Sequence, residues 1–314
     1  MNIINPEGHI LVIGAAGVDV KGRPHGELHP NTLLVGDVRF NMGGVARNIA
    51  ENLARLEVPT ILLTAVGDDP AGEMVVTACS EAGIDMQHVL RVPGENTGAY
   101  MAFMSPDNDE AVSLSDYALV GTMPPDYLTG NKDLFESAAM VVIDANLPPD
   151  ALVAIFDLAR MYRIPVCADP TTPDLAVKLI EHLPHLYMVA PNRAETKTLC
   201  GLSVPAQNVD TAISAAHHLV GLGVKIAIVT LGAEGLAYAD ISGGGHIPAI
   251  RTNVVDSIGA GDALTAGIIF GLINGVPLDE AMRLGVSAAT LTLRSSESVV
   301  PDLSQELLYD ELVI

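Results

Sequence analysis

Short, unbroken apolar runs alternate with longer segments that carry apolar residues every three or four positions, most regularly after residue 139. The runs at 140–144, 166–169, 186–190 and 226–230 read as buried strands, and a late hairpin is expected near 236–239. Between them, 150–162 and 211–222 have helical spacing. In the first half, 9–14, 60–67 and 89–92 are further strands. The runs at 97–104 and 110–114 flank the polar stretch Ser105-Pro106-Asp107-Asn108-Asp109 as a hairpin. A helix after Gly43-Gly44 places Ile49, Leu53 and Leu56 on one face, and Asp69-Pro70 starts another. Continuous apolar strands separated by helices predict an α/β fold: a mostly parallel sheet with helices on both faces. Ligands then sit at the carboxyl ends of the strands. Asp144, Asp169, Asn192 and Thr230 fall there. With no internal repeat or long linker, residues 1–314 read as one domain.

Composition narrows this picture. The chain is 49% apolar and only 17% charged, which suits a large core and argues against disorder. The formal charge of -22 disfavours nucleic acid and anionic membrane surfaces as partners. An anionic ligand then has to be held by local features. The three cysteines Cys79, Cys167 and Cys200 are widely spaced and form no CxxC pair, so zinc is not expected and a reducing cytoplasm is. Residues 1–6 show no signal-peptide pattern. The apolar stretch 263–278 contains Asn274 and Pro277 and is short for a bilayer span, so it reads as a buried helix. The early glycines do not fit GxGxxG, which argues against a dinucleotide-binding dehydrogenase.

The chemistry concentrates in Asp256-Ser257-Ile258-Gly259-Ala260-Gly261-Asp262, a small-residue turn entering an apolar helix. Gly259 and Gly261 allow close backbone approach, and the first N–H groups of such a helix attract phosphate oxygens. A carboxylate beside that cradle is suited to take a proton from an attacking hydroxyl. Alone, the motif reads as a tight turn with Asp262 as a helix-capping residue.

A second stretch, Gly43-Gly44-Val45-Ala46-Arg47-Asn48-Ile49-Ala50-Glu51-Asn52, leads into a strand and then Val66-Gly67-Asp68-Asp69-Pro70-Ala71-Gly72. With Asp256–Asp262, in this order, it resembles the two signatures of the ribokinase-like (PfkB) carbohydrate and nucleoside kinases over nearly the whole chain. The resemblance implies a ribokinase-like fold with a small β-lid, its strands within 15–40 and 96–116. It implies ATP-dependent phosphorylation of an alcohol, with Asp262 as base and Gly259, Ala260 and Gly261 as the anion turn. Asp19, Gly43, Gly44 and Asn48 would bind the acceptor; Arg47 reads as a surface or lid-pairing residue. Pro191-Asn192-Arg193-Ala194-Glu195 resembles the family's N-x-x-E element, with Glu195 organising hydrated Mg²⁺ and Asn192 near phosphate. By itself the same pattern is a helix-start signature. Thr230, Gly232, Asn253 and Asp256 would form the nucleotide side. Asp256 and 295–298 would offer a place for a monovalent cation such as K⁺.

Several stretches, among them 43–50, 92–97, 144–146 and 253–255, are similar to the pseudouridine kinases of that family, implying a neutral nucleoside acceptor. Ribose, fructose and other nucleosides are the alternatives, and a non-catalytic sugar or nucleotide sensor is a more distant one. Apolar residues in the lid, including Met101, Phe103 and Met104, are expected to pack it; Phe103 is also a candidate for touching a base or sugar ring. The lid strands are expected to pair two subunits into a homodimer.

Overall fold

A computed structural model describes residues 8–27, 33–104 and 110–312. Its centre is an eight-stranded sheet. In spatial order the strands are Gly243–Ile247, Leu236–Asp240, Ile226–Thr230, Met188–Val189, Val166–Asp169, Ala138–Asp144, His9–Ile13 and Thr60–Leu63. The last six run parallel, and the first two form an antiparallel hairpin at the edge. The alternation of side chains explains the unbroken apolar runs. Ile10 and Val12 face one layer with Met140 and Val142, covered by helices Val45–Arg55, Ala260–Ile273 and Leu278–Leu293. Leu11 and Ile13 face the other with Val141 and Ile143, under helices Pro149–Tyr162 and Val209–Gly221.

Over the carboxyl end lies a four-stranded lid, in the order Gly36–Gly43, Gly17–Pro24, Gly98–Met104, Glu110–Asp116. Its inner pair is parallel and its outer pairs antiparallel. The lid reaches Gly43, beyond the expected limit of 40. The polar tip 105–109 of the predicted hairpin lies outside the described residues, as do the N-terminal residues 1–7.

Other expectations need adjusting. The run 60–67 is two strands, because Thr64 breaks it: Thr60–Leu63 is the sheet edge, and Ala65–Gly67 pairs with Leu90–Val92. Of 186–190 only Met188–Val189 is strand. The helix expected over 263–278 is Ala260–Ile273; Gly275 turns the chain at φ 71° and a second helix, Leu278–Leu293, packs back on it. That packing needs small residues at the crossing. A Cβ on Gly267 would lie 2.8 Å from the Leu284 carbonyl oxygen.

Candidate active site

The turn before helix Ala260–Ile273 has no side-chain cap; its N-cap is Gly259, at φ 85°. A Cβ there would overlap the Ser298 carbonyl, so both conformation and space demand glycine. At Gly261 nothing lies within 4 Å of a built Cβ, and the residue borders open space. Uncapped N–H groups at such a helix start would suit an anion.

Ala260 and Gly261 border a cavity of about 710 Å³. Thr230 and Gly232 also line it, as do the apolar Leu264 and Leu293. Such a space suits a phosphate chain at one end and a flat apolar ring at the other. Asn253, expected on this side, is exposed and does not line the cavity; its extended-chain neighbours Thr252 and Val254 do. Asp256 is likewise turned aside, with Lys21 Nζ 2.5 Å from its Oδ2.

Asp262, in the helix's first turn, is buried and does not line the cavity. Asn48 Nδ2 donates to its Oδ2 over 2.7 Å. Burial, reinforced by the neighbouring carboxylate of Asp169, lifts the Asp262 carboxyl well above its ordinary range, while the Asn48 bond opposes that rise. Arg47 sets the orientation of Asn48: its Nη1 donates to Asn48 Oδ1 over 2.8 Å, so the amide can present only its N–H₂ to Asp262. Arg47 is therefore no surface residue. It is buried, paired with Glu51, and donates to the carbonyl of Met42 in the lid over 2.8 Å.

Asp19 stands on the inner face of the lid, opposite Asn41 in register. A Cβ on Gly43 would fall on its carboxylate, and one on Gly44, at φ 97°, would overlap the Ala15 carbonyl. The two glycines thus let the backbone pass close beneath Asp19. Burial raises the Asp19 carboxyl to about 6, against the pull of Lys21 and Arg47. Asp19, Gly43, Gly44, Asn48 and Asp262 are brought together, as expected for an acceptor site.

Sequence reasoning placed Asp144 at a strand end but did not see what it does. Fully buried, it accepts N–H bonds from Ala15 at 2.7 Å, Ala46 at 3.2 Å and Asn146 at 2.9 Å. It thereby caps helix Val45–Arg55, whose own N-cap Gly44 has no side chain. Tyr117 was missed outright. Its buried hydroxyl has no hydrogen-bond partner among the described residues, and burial near Asp19, Asp144 and Asp262 holds its pKa far above the ordinary value. Met101 and Phe103, expected to pack the lid, instead stand on its outer face, 42% and 44% exposed. Met101 pairs in register with Val20, on the side opposite Asp19, so Phe103 is not directed at the acceptor.

Asn192 and Glu195 form a complete capping box at helix Arg193–Cys200. Asn192 Nδ2 donates to Glu195 Oε1 at 2.7 Å, and the backbone N–H of Asn192 donates to Oε2 at 2.8 Å. Neither lines the cavity. Glu195 is buried close to Asp169, and burial together with this second carboxylate pushes Asp169 up to about 7. Glu195 is itself raised by burial, against the Asn192 hydrogen bonds, and two buried carboxylates side by side fit a hydrated divalent cation, which needs only one or two protein ligands when phosphates supply the rest. Among the described residues no group of three metal-ligating side chains is present, and no helix is long and apolar enough to cross a membrane.

The sequence profile of the pfkB family carbohydrate kinases matches residues 7–304. The pseudouridine kinase of Escherichia coli (strain K12) is 33% identical over 297 residues, covering 94% of each chain. The guanosine-inosine kinase of Exiguobacterium acetylicum is 29% identical over 308 residues, 95% of this chain and 99% of that one. Among solved structures, Arabidopsis thaliana ribokinase complexed with ribose and ATP superposes with a TM-score of 0.83 at 22% identity, covering 98% and 99% of the two chains.

Proposed function

The chain belongs to the pfkB family of carbohydrate kinases, as an ATP-dependent sugar or nucleoside kinase, and we propose that its acceptor is a nucleoside, pseudouridine, phosphorylated on the 5′-hydroxyl. The observation that carries the acceptor is the near end-to-end relation to a pseudouridine kinase. The site is in keeping with a neutral acceptor: the two buried cations beside it, Lys21 and Arg47, are already paired with Asp256 and Glu51. Neither is left for an acceptor phosphate. Guanosine or inosine is the second reading, supported by the relative that acts on them.

In this reading Asp19 and Asn48 hold the ribose hydroxyls and turn the primary hydroxyl to Asp262. Asp262 accepts its proton as the oxygen attacks the γ-phosphorus of ATP. The N–H groups of Ala260 and Gly261 take up charge developing on the transferred group. ATP lies in the cavity with its phosphates toward Thr230 and Gly232. Mg²⁺, when bound with ATP, neutralises phosphate charge; Glu195 and Asp169 would hold its hydrated shell, with Asn192 fixing Glu195. The sparse, unpaired cysteines support a reducing cytoplasm as its place.

The test is ATP consumption with Mg²⁺ over pseudouridine, uridine, guanosine, inosine, adenosine, ribose and fructose. The highest kcat/KM is expected with pseudouridine. A higher value for guanosine or inosine would establish the second reading, and one for ribose or fructose would overturn the nucleoside assignment.

A further inference from the structure

The ion pair between Lys21 and Asp256 has no part in the chemistry described so far. Lys21 follows Asp19 by two positions in the lid strand Gly17–Pro24, so both side chains stand on the inner face. Asp19 serves the acceptor, while Lys21 reaches the turn that opens the phosphate seat. Its Nζ is 2.5 Å from Asp256 Oδ2, with the two side chains only 8% and 13% exposed. The other oxygen, Asp256 Oδ1, accepts the N–H of Ile258 at 2.9 Å and shapes the approach to Gly259. A second tie runs in parallel, from Asn41 Nδ2 to the Ser296 carbonyl at 3.1 Å.

The residues around Asp256 do not fit the monovalent cation that the family resemblance implies. An alkali ion would need the Asp256 carboxylate and carbonyl oxygens of 295–298 as ligands. The carboxylate is occupied on both oxygens, one of them by an ammonium group. The Ser296 carbonyl accepts from Asn41, and the Ser298 carbonyl packs on Gly259. A second cation in this space would meet the Lys21 charge at close range in a poorly solvated setting, where repulsion is strong.

We propose that Lys21 is a built-in substitute for the monovalent cation. As a positioning residue, it supplies a fixed positive charge to the Asp256 turn and ties the acceptor-binding strand to the phosphate seat, making turnover independent of K⁺. The proposal rests on the assignment of Gly259–Gly261 as the phosphate turn.

The test needs first only the unaltered protein, with K⁺ exchanged for tetramethylammonium at constant ionic strength. An activating ion coupled to nucleotide binding would change kcat/KM by roughly 5–150-fold. A flat response is expected, together with a thermal midpoint that K⁺ does not raise. Lys21→Met should lose kcat/KM in tetramethylammonium and recover part of it in K⁺ or NH₄⁺, with a midpoint that now rises in K⁺. Steep K⁺ activation of the unaltered enzyme, or a K⁺-specific rise in its midpoint, would overturn the proposal. So would a Lys21→Met enzyme that needs no cation, or one whose loss neither K⁺ nor NH₄⁺ relieves. If Lys21→Met does not fold, the titrations of the unaltered protein still decide. If no acceptor is phosphorylated, the functional reading fails separately, and the midpoint still reports on Lys21.

Discussion

Asn48 donates its side-chain amide to Asp262 across 2.7 Å, joining two helix starts that lie 214 residues apart in the chain. The bond favours the ionised carboxylate, while burial and Asp169 favour the protonated one. A base must be ionised to act, so kcat should rise with pH through the elevated Asp262 value and then level off. Asp262→Asn should lower kcat by about 10²–10⁴-fold and abolish that limb while leaving ATP binding largely intact. Asn48→Ala should move the limb to higher pH, because the bond that favours the ionised form is lost. Near-normal turnover by Asp262→Asn would remove it from the role.

Asp19 lets the same environment be read as stability. Its folded-state pKa, about 6, lies above the ordinary aspartate value. Protonation therefore favours the folded state. The contribution is full below the unfolded pKa near 3.8 and is lost as pH rises through about 6. At neutral pH the ionised carboxylate is a cost of keeping the acceptor site ready. Asp19→Asn should thus raise the thermal midpoint at pH 7.5, lose that advantage near pH 4, and raise KM for the acceptor. An equal change in midpoint at both pH values would contradict this account.

The two glycines of the phosphate turn should respond differently. Gly259→Ala meets the Ser298 carbonyl and a positive φ, so it should destabilise the fold. Gly261→Ala meets no protein atom and sits in a helix, where alanine is favoured by about 1 kcal/mol. It should fold at least as well as the parent yet weaken ATP binding, because its methyl group enters the cavity. Unfolding curves paired with KM for ATP check both; an unaffected KM in Gly261→Ala would place the phosphates elsewhere.

Glu195→Gln separates structure from metal chemistry, since glutamine also completes a capping box. Folding should be nearly unchanged while the Mg²⁺ concentration for half-maximal rate rises. An unchanged Mg²⁺ titration would reduce Glu195 to a helix-start residue.

The parts of the site legible in the sequence are those written in contiguous residues. The glycines and acid of 259–262, the Asn192/Glu195 spacing and the strand-end positions of Asp144 and Asp169 needed only local geometry. What stayed hidden depends on topology. Nothing near Ala46 signals that Asp144, 98 residues on, caps its helix. Arg47 carries the polarity of a surface residue; its partners Met42, Asn48 and Glu51 are sequence neighbours, but its burial comes only from the fold around them. Lys21 and Asp256, 235 residues apart, meet because the lid folds back over the phosphate turn. The direction of Met101 and Phe103 followed from strand register, which apolar content alone does not reveal.

That register also bears on assembly. Val38, Phe40, Met101, Phe103, Val112 and Leu114 stand on the lid's outer face, with exposures from 42% for Met101 to 69% for Leu114. Ladder partners join them across all four strands: Phe40 and Met101 flank Val20, Met101 faces Leu114, and Phe103 faces Val112. A contiguous apolar sheet face of this kind, opposite the face that carries Asp19 and Lys21, favours burial against a second copy of itself. We therefore expect a homodimer joined lid to lid. Sedimentation at micromolar concentration should show two chains per particle. Leu114→Lys with Phe40→Lys should give a folded monomer, because the changes place charge on the two edge strands of this face and leave the inner face untouched. A parent protein that sediments as a monomer, or a double variant that remains dimeric, would show that this face is not the interface.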